Sequence, residues 1–353
     1  MKSISNLPPA LRMAARLFAF FLLLQAPGVY AEEIVLRVQH FLGADSIPHN
    51  ALITPWARRV EAASSGRIKV KIHPAMTLGG KADELVDQAQ QGVVDIVWTA
   101  AAYTPGRFPH TEVFSLPLVH SGDPVSTNLA IMALMESELI SDFPGLHPLL
   151  VHVHQGHAFH MSSRSVASLD EFSGLTLRPP GRGIGSWIIE ALGAEITKKR
   201  HPKLPKAMER GDLDGALMSF NLAQSMGVIE ASKSHTLMGD DEFFGTSLFL
   251  FLMNEARYSS LPEELRRVID DNSGEAFARE MGEVWLQAGY AGIAAAEKQS
   301  NSINALRGNE REQARMRLAG VVDLWLKERQ QQGIDGAGLI DKARRTIAQQ
   351  QGE

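Results

Sequence analysis

Arg178 is the side chain best equipped for recognition chemistry. It follows the apolar stretch Leu175-Thr176-Leu177 and precedes the turn Pro179-Pro180-Gly181, so it stands at a strand end. A guanidinium offers a planar fork of N–H donors that meets a carboxylate two bonds at a time. By residue type alone, an arginine in such a place is usually solvated or ion-paired. Small hydroxyl and amide groups stand at two further strand ends: Thr99 after Ile96-Val97-Trp98, and Ser219 and Asn221, flanking Phe220, after Ala216-Leu217-Met218. Gln39 and His40 close the first strand at the same expected edge. Such groups can hold the polar end of a small ligand, and they are also ordinary turn residues. Phe114, Trp187, Phe220, Phe243 and Phe244 could wall a pocket with aromatic surface or fill a core.

His152, His154, His157 and His160 form a cluster that invites a zinc reading. No carboxylate or second histidine pair accompanies it, so the expectation is no metal site. These are read instead as crossover and hinge residues, with His154 or His157 reaching a ligand. Gly181-Arg182-Gly183-Ile184-Gly185 follows a strand and opens a helix, as a dinucleotide loop does. The spacing fails at Ser186, where that loop needs its last glycine. Lys198-Lys199-Arg200-His201 is either a solvated basic loop or a second cation for a ligand. No nucleophile elbow, His-Glu-x-x-His or Walker loop occurs. No residue is assigned to catalysis, and no cofactor is expected.

These side chains need elements to carry them. Gln91-Gly92-Val93-Val94-Asp95-Ile96-Val97 and Arg210-Gly211-Asp212-Leu213-Asp214-Gly215-Ala216 repeat one grammar: helix end, glycine, apolar step, Asp, buried strand. The glycine suits the left-handed position past a helix. Two such units predict two similar α/β lobes, each aiming a strand end at the space between them. Leu149 to His154 reads as a strand crossing toward the second lobe, and Ser247 to Met253 as one returning. Everything beyond Pro262 reads as helical, including Gly274 to Asn304.

Composition bounds the class. At 353 residues, two domains are the natural expectation. Lys2, Arg12 and Arg16 precede the apolar run Leu17 to Leu24, and Val29-Tyr30-Ala31 follows; this is the layout of a signal peptide cleaved after Ala31. Eight strongly apolar residues are too few to span a bilayer, which needs about 20. Losing those three cations and no anion takes the net charge from −5 to −8. That balance argues against nucleic acid and anionic lipid as partners. Cysteine is absent, which removes disulfides, thiolate metal sites and cysteine nucleophiles. The expected product is a soluble protein outside the cytoplasmic membrane, with no membrane insertion after cleavage.

Leu36 to His40, Gly66-Arg67-Ile68-Lys69-Val70, Leu78-Gly79-Gly80, Gln91 to Asp95, Phe114-Ser115-Leu116-Pro117, Gly174 to Arg178, Gly211 to Gly215, Met253-Asn254 and Leu261-Pro262-Glu263 occur in this order. Together they resemble the solute receptors of tripartite ATP-independent periplasmic (TRAP) transporters of the DctP type. The resemblance covers essentially the whole mature chain. It implies an α/β, two-lobed periplasmic binding protein, type II-like, with hinge strands and a long helix spanning both lobes. The expected division is 1–31 signal peptide, 32–153 plus about 247–275 lobe I, and 154–246 plus about 276–353 lobe II. It further implies capture of a carboxylate-bearing organic acid, mono- or dicarboxylate, for delivery to integral membrane permease subunits. In that family an arginine at the position of Arg178 pairs with the ligand carboxylate. His157 stands where another basic residue is common, and the Lys198 to His201 segment also departs from the family pattern. The expected ligand set is Arg178, Gln39, His40, Thr99, His154, His157, Phe114, Trp187, Ser219, Phe220, Asn221 and Phe243. An exported enzyme acting on a small organic acid, and a ligand-binding module for a sensor kinase, are the alternatives.

Overall fold

The computed structural model describes residues 33–197 and 203–352. The signal-peptide reading and the Lys198 to His201 reading lie outside the described residues.

Two sheets organise the chain. The first holds β1 (Ile34–His40), β2 (Ile68–His73), β3 (Ile96–Ala100), β4 (Leu146–Val153) and β10 (Leu248–Asn254), in the order β2-β1-β3-β10-β4. β1 runs parallel to β2 and β3, while β10 is antiparallel to β3 and β4. The second holds β5 (Ala158–Met161), β6 (Thr176–Arg178), β7 (Glu195–Ile196), β8 (Gly215–Met218), β9 (Ser234–Leu237) and β11 (Ser302–Ala305), in the order β11-β9-β5-β8-β6-β7. The strands β3, β8 and β10 are buried throughout, which is why they read as unbroken apolar runs.

The repeated glycine–aspartate phrase is a scaffold device used once per sheet. Gly92 and Gly211 have φ of +71° and +73°, the left-handed turn that ends the helices Leu85–Gln90 and Leu204–Glu209. The aspartate then fastens the neighbouring parallel strand. Asp95 accepts from the Arg37 backbone N–H at 2.8 Å, and Asp214 accepts from the Thr176 N–H at 2.7 Å. Each sheet thereby gains a fixed register at the start of its central parallel pair.

The chain passes between the sheets at residues 154–157 and returns at 245–247. These two passages are tied together: His157 N–H donates to Gly245 O at 2.8 Å, Phe244 N–H to His157 O at 2.9 Å, and Thr246 Oγ1 to His154 O at 2.8 Å. A third passage is the 25-residue helix Gly274–Lys298. Its first half buries Phe277, Ala278, Met281 and Trp285 in the core of the first sheet, and Ala296 near its end joins the core of the second. Three glycines let it lie close to its neighbours. A β-carbon at Gly282 would stand 2.6 Å from Val125 Cα, at Gly289 2.0 Å from Gln155 Oε1, and at Gly292 2.6 Å from the Phe220 backbone.

Two expectations are corrected here. The helix ends at Lys298 rather than Asn304, because β11 follows and pairs parallel with β9. Residues 276–353 are also not confined to the second lobe. The helix Gly308–Gln331 packs on the helix Ile184–Leu192, but Gly336–Gln351 packs back on Pro124–Leu134 beside the first sheet. There Lys342 pairs with Glu138 at 2.7 Å, and Arg344 Nε donates to Leu118 O.

Glycines of opposite environment give a stability test. Gly282→Ala meets backbone and should cost about 1–3 kcal/mol. Gly320, in the helix Gly308–Gln331, has nothing within 4 Å of its would-be β-carbon. Gly320→Ala should instead add about 0.5–1 kcal/mol by removing a flexible residue from a helix interior. Urea melts of the two variants should move to opposite sides of the parent.

Candidate functional site

The cavity between the two sheets encloses about 170 Å³ and is shared almost evenly between them. From the second sheet come Arg178 at the end of β6 and Met218, Ser219 and Asn221 at the end of β8. The passages supply His154, His157 and Ser247, and the first sheet supplies an aromatic wall.

Four of these residues carry polar atoms that are buried and unpartnered among the described residues: Arg178 Nη1, His157 Nδ1, Ser219 Oγ and Asn221 Oδ1. A buried polar atom without a partner costs on the order of 1–3 kcal/mol, so four around one cavity describe a surface waiting for something polar. Arg178 makes no ion pair with any described carboxylate. Burial pushes its pKa down, and Tyr103 across the cavity partly restores it. The guanidinium remains charged, since arginine does not deprotonate in proteins.

The wall opposite is a run of nearly parallel rings. Phe41 stacks on Trp98 at 5.3 Å between centroids, Trp98 on Phe249 at 4.9 Å, and Phe249 on Trp285 at 5.8 Å, with interplanar angles of 15°, 14° and 12°. The indole N–H groups of Trp98 and Trp285 point to the ring nitrogens of His152, at 3.1 and 2.9 Å. A neutral imidazole has one acceptor nitrogen, so the two indoles compete for it. Burial lowers the His152 pKa to about 3. His157 also falls to about 3, through burial first and then the charges of His120 and Arg178. His120, which holds Gln155 O at 2.6 Å, falls to about 4 by burial. His154 and His160 are held well below the ordinary value for the same leading reason. The chain passages are therefore lined by neutral imidazoles.

Of the twelve expected ligand residues, Arg178, His154, His157, Ser219 and Asn221 line this cavity. The others do not. Gln39 turns away to organise a loop, accepting from Leu78 N–H at 2.7 Å and donating to Gln88 Oε1 at 2.6 Å. His40 is fully buried against His49. Thr99 lies between Trp98 and Ala100, which face the cavity, so the strand period sends its side chain to the other face. Phe114 is core, fully buried in the short 3₁₀ turn Thr111–Ser115. Phe220 packs on Gly292 and His160. Phe243 covers Gly156, whose would-be β-carbon lies 2.3 Å from it. Trp187 lines a separate, larger cavity of about 400 Å³ between residues 101–106 and 180–187. Missed altogether were Phe41, Trp98, Phe249 and Trp285. The signal for Trp98 and Phe249 was their alternation with the strand ends; Trp285 carries none, because helix spacing alone cannot tell core from cleft.

No group of three or more metal-ligating side chains occurs among the described residues, and no helix among them is long and apolar enough to cross a membrane. Two α/β lobes joined by crossing strands, with a small cavity between them, define a solute-binding receptor. The chain belongs to the bacterial extracellular solute-binding proteins of family 7 (DctP), whose model matches residues 38–328. Solved relatives agree in fold. One is a TRAP solute-binding protein from an unidentified marine microbe, specific for aromatic acid ligands and bound to metahydroxyphenylacetate. It is 34% identical, with a TM-score of 0.85, over 90% of this chain and 99% of that one. Another, from Rhodoferax ferrireducens with copurified benzoate, is 32% identical with a TM-score of 0.84 over the same shares. Two curated relatives match more briefly. The chain spans 42% of the uncharacterized protein y4mM of Sinorhizobium fredii at 24% identity. It spans 58% of the ectoine-binding periplasmic protein TeaA of Halomonas elongata at 22% identity.

The histidines set a pH dependence. Their folded pKa values lie below the unfolded value near 6.5, so the unfolded chain binds more protons between about pH 3 and 6.5. Their contribution to stability is complete above pH 6.5 and is lost as pH falls through that window. The midpoint of thermal unfolding should hold steady from pH 8 to 7 and then drop steeply toward pH 4. His120→Gln combined with His157→Gln should flatten the drop.

Proposed function

We propose that this protein is a periplasmic receptor for a small aromatic monocarboxylate, which it delivers to the membrane permease of a TRAP transporter. The observation that carries the reading is Arg178: a guanidinium without a counter-ion among the described residues, facing a stack of four aromatic rings across about 170 Å³. A cavity for a drug-sized ligand is usually about 300–1,000 Å³, so the volume supports a ligand of one ring and few substituents. The aromatic acids bound to the two solved relatives above are of that kind.

The chemistry follows from what each half offers. The carboxylate docks on Arg178 by charge-assisted hydrogen bonds, and its ring lies against the aromatic wall. Neutral His157 beside Arg178 can hydrogen-bond without adding charge. Closing the lobes excludes water, which lowers the local dielectric and strengthens the ion pair. Receptor rather than enzyme is the reading the site supports, since burial holds the cavity histidines well below the ordinary imidazole range and no carboxylate among the described residues lines the cavity.

Isothermal titration of the mature protein with benzoate tests this. Arg178→Ala should weaken binding by at least about 30-fold, the scale of a buried charge left unpaired. Trp98→Ala should weaken it by about 10-fold or more through the lost ring contact. Benzamide, of the same shape without the charge, should bind far more weakly than benzoate. Equal affinity of wild type and Arg178→Ala would overturn the carboxylate assignment.

A further inference from the structure

We propose that Arg182, in the Gly181-Arg182-Gly183 loop, is the clasp that holds the two lobes shut; this rests on the receptor reading above. The loop belongs to the second lobe, between β6 and the helix Ile184–Leu192. Across the cleft stands the first-lobe turn Ala101–Tyr103, which continues from β3. Arg182 reaches it twice: its guanidinium Nη2 donates to Tyr103 O at 3.1 Å, and its backbone N–H donates to Ala102 O at 3.4 Å.

The glycines on either side make this approach possible. A β-carbon at Gly181 would lie 2.4 Å from Ala102 Cβ and 3.2 Å from Ala102 O, so no side chain fits while the lobes touch. Gly183 has a φ of +77° and would place a β-carbon 3.5 Å from Pro105 Cβ. The spacing that imitates a dinucleotide loop thus serves contact between two pieces of backbone. Arg182 is exposed and has no carboxylate partner among the described residues, so its side chain is committed to the opposite lobe.

Position links the clasp to the ligand. Arg182 lies four residues after Arg178, and Pro180 between them lines the ligand cavity, as does Tyr103 on the other side. Arg182 itself lines the larger cavity, which shares His157, Pro180 and Ser247 with the ligand cavity beside it. Opening the clasp would join them. Arg182 therefore acts as a positioning residue: it touches the opposite lobe rather than the ligand, and it slows escape.

Two measurements test this on the mature protein. The chain has no cysteine, so Asp83→Cys and Glu190→Cys place one spin label on each lobe. Without ligand, Arg182→Ala should move the distance distribution toward longer separations, and Arg182→Lys should restore part of the short population. In stopped-flow fluorescence with benzoate as probe, Arg182→Ala should raise the dissociation rate about five- to tenfold and leave association within about twofold. Gly181→Val, which blocks the approach without touching the guanidinium, should behave like Arg182→Ala. Unchanged distances together with unchanged dissociation would overturn the clasp. Should benzoate bind neither protein, the ligand proposal fails and the distance distributions alone decide the clasp: a shift supports it and no shift overturns it.

Discussion

A half-buried guanidinium with no counter-ion among the described residues is the constraint around which this molecule is arranged. Desolvating a charge is expensive, and an unpaired one is tolerated only when the rest of the fold is stable enough to hold it in place. Here the end of β6 fixes Arg178, and Asp214 fixes the start of that strand. The histidines nearby stay neutral, so they add no charge beside it. The polar atoms of Ser219 and Asn221 are likewise left unspent.

The scaffold that bears this cost is a pair of sheets stitched by several chain passages. Two of them lie side by side through His157, Gly245 and Thr246, where short hydrogen bonds form a narrow bridge. The helix Gly274–Lys298 is the third, rooted in the first core by Trp285 and in the second by Ala296. The last helix returns to the first lobe. Motion compatible with all of them is rotation about the narrow bridge, since sliding would break the glycine contacts along the long helix.

Much of this could be read from residue types and spacing. The doubled glycine–aspartate phrase announced two α/β units, and the run Leu248 to Met253 announced a returning strand. Arg178 stood out through the family resemblance, since by residue type alone an arginine at a strand end is usually solvated or ion-paired. Short strands of mixed composition were not visible: Ser234–Leu237 and Ser302–Ala305 owe their conformation to pairing with each other, which local pattern cannot express. Which aromatic residues line the cavity was not legible for a related reason. Phe114 and Phe220 stand near apolar residues in sequence, as the wall residues Trp98 and Phe249 do, while Phe243 follows Asp240-Asp241-Glu242. Which of them border the cavity depends on the face each strand turns to its partner lobe.

Recognition is divided between the lobes by chemistry. Every ring of the aromatic wall belongs with the first sheet and its core, and Arg178, Ser219 and Asn221 all belong to the second. A compound with only a ring, or only a charge, has purchase on one lobe and gives the other no reason to approach. On the proposed reading the molecule works as a coincidence detector, reporting the joint presence of two features on one small compound. The same division lets substitutions in the first half retune the preferred ring while those in the second leave the charge requirement intact, so new ligand preferences can arise without rebuilding the site.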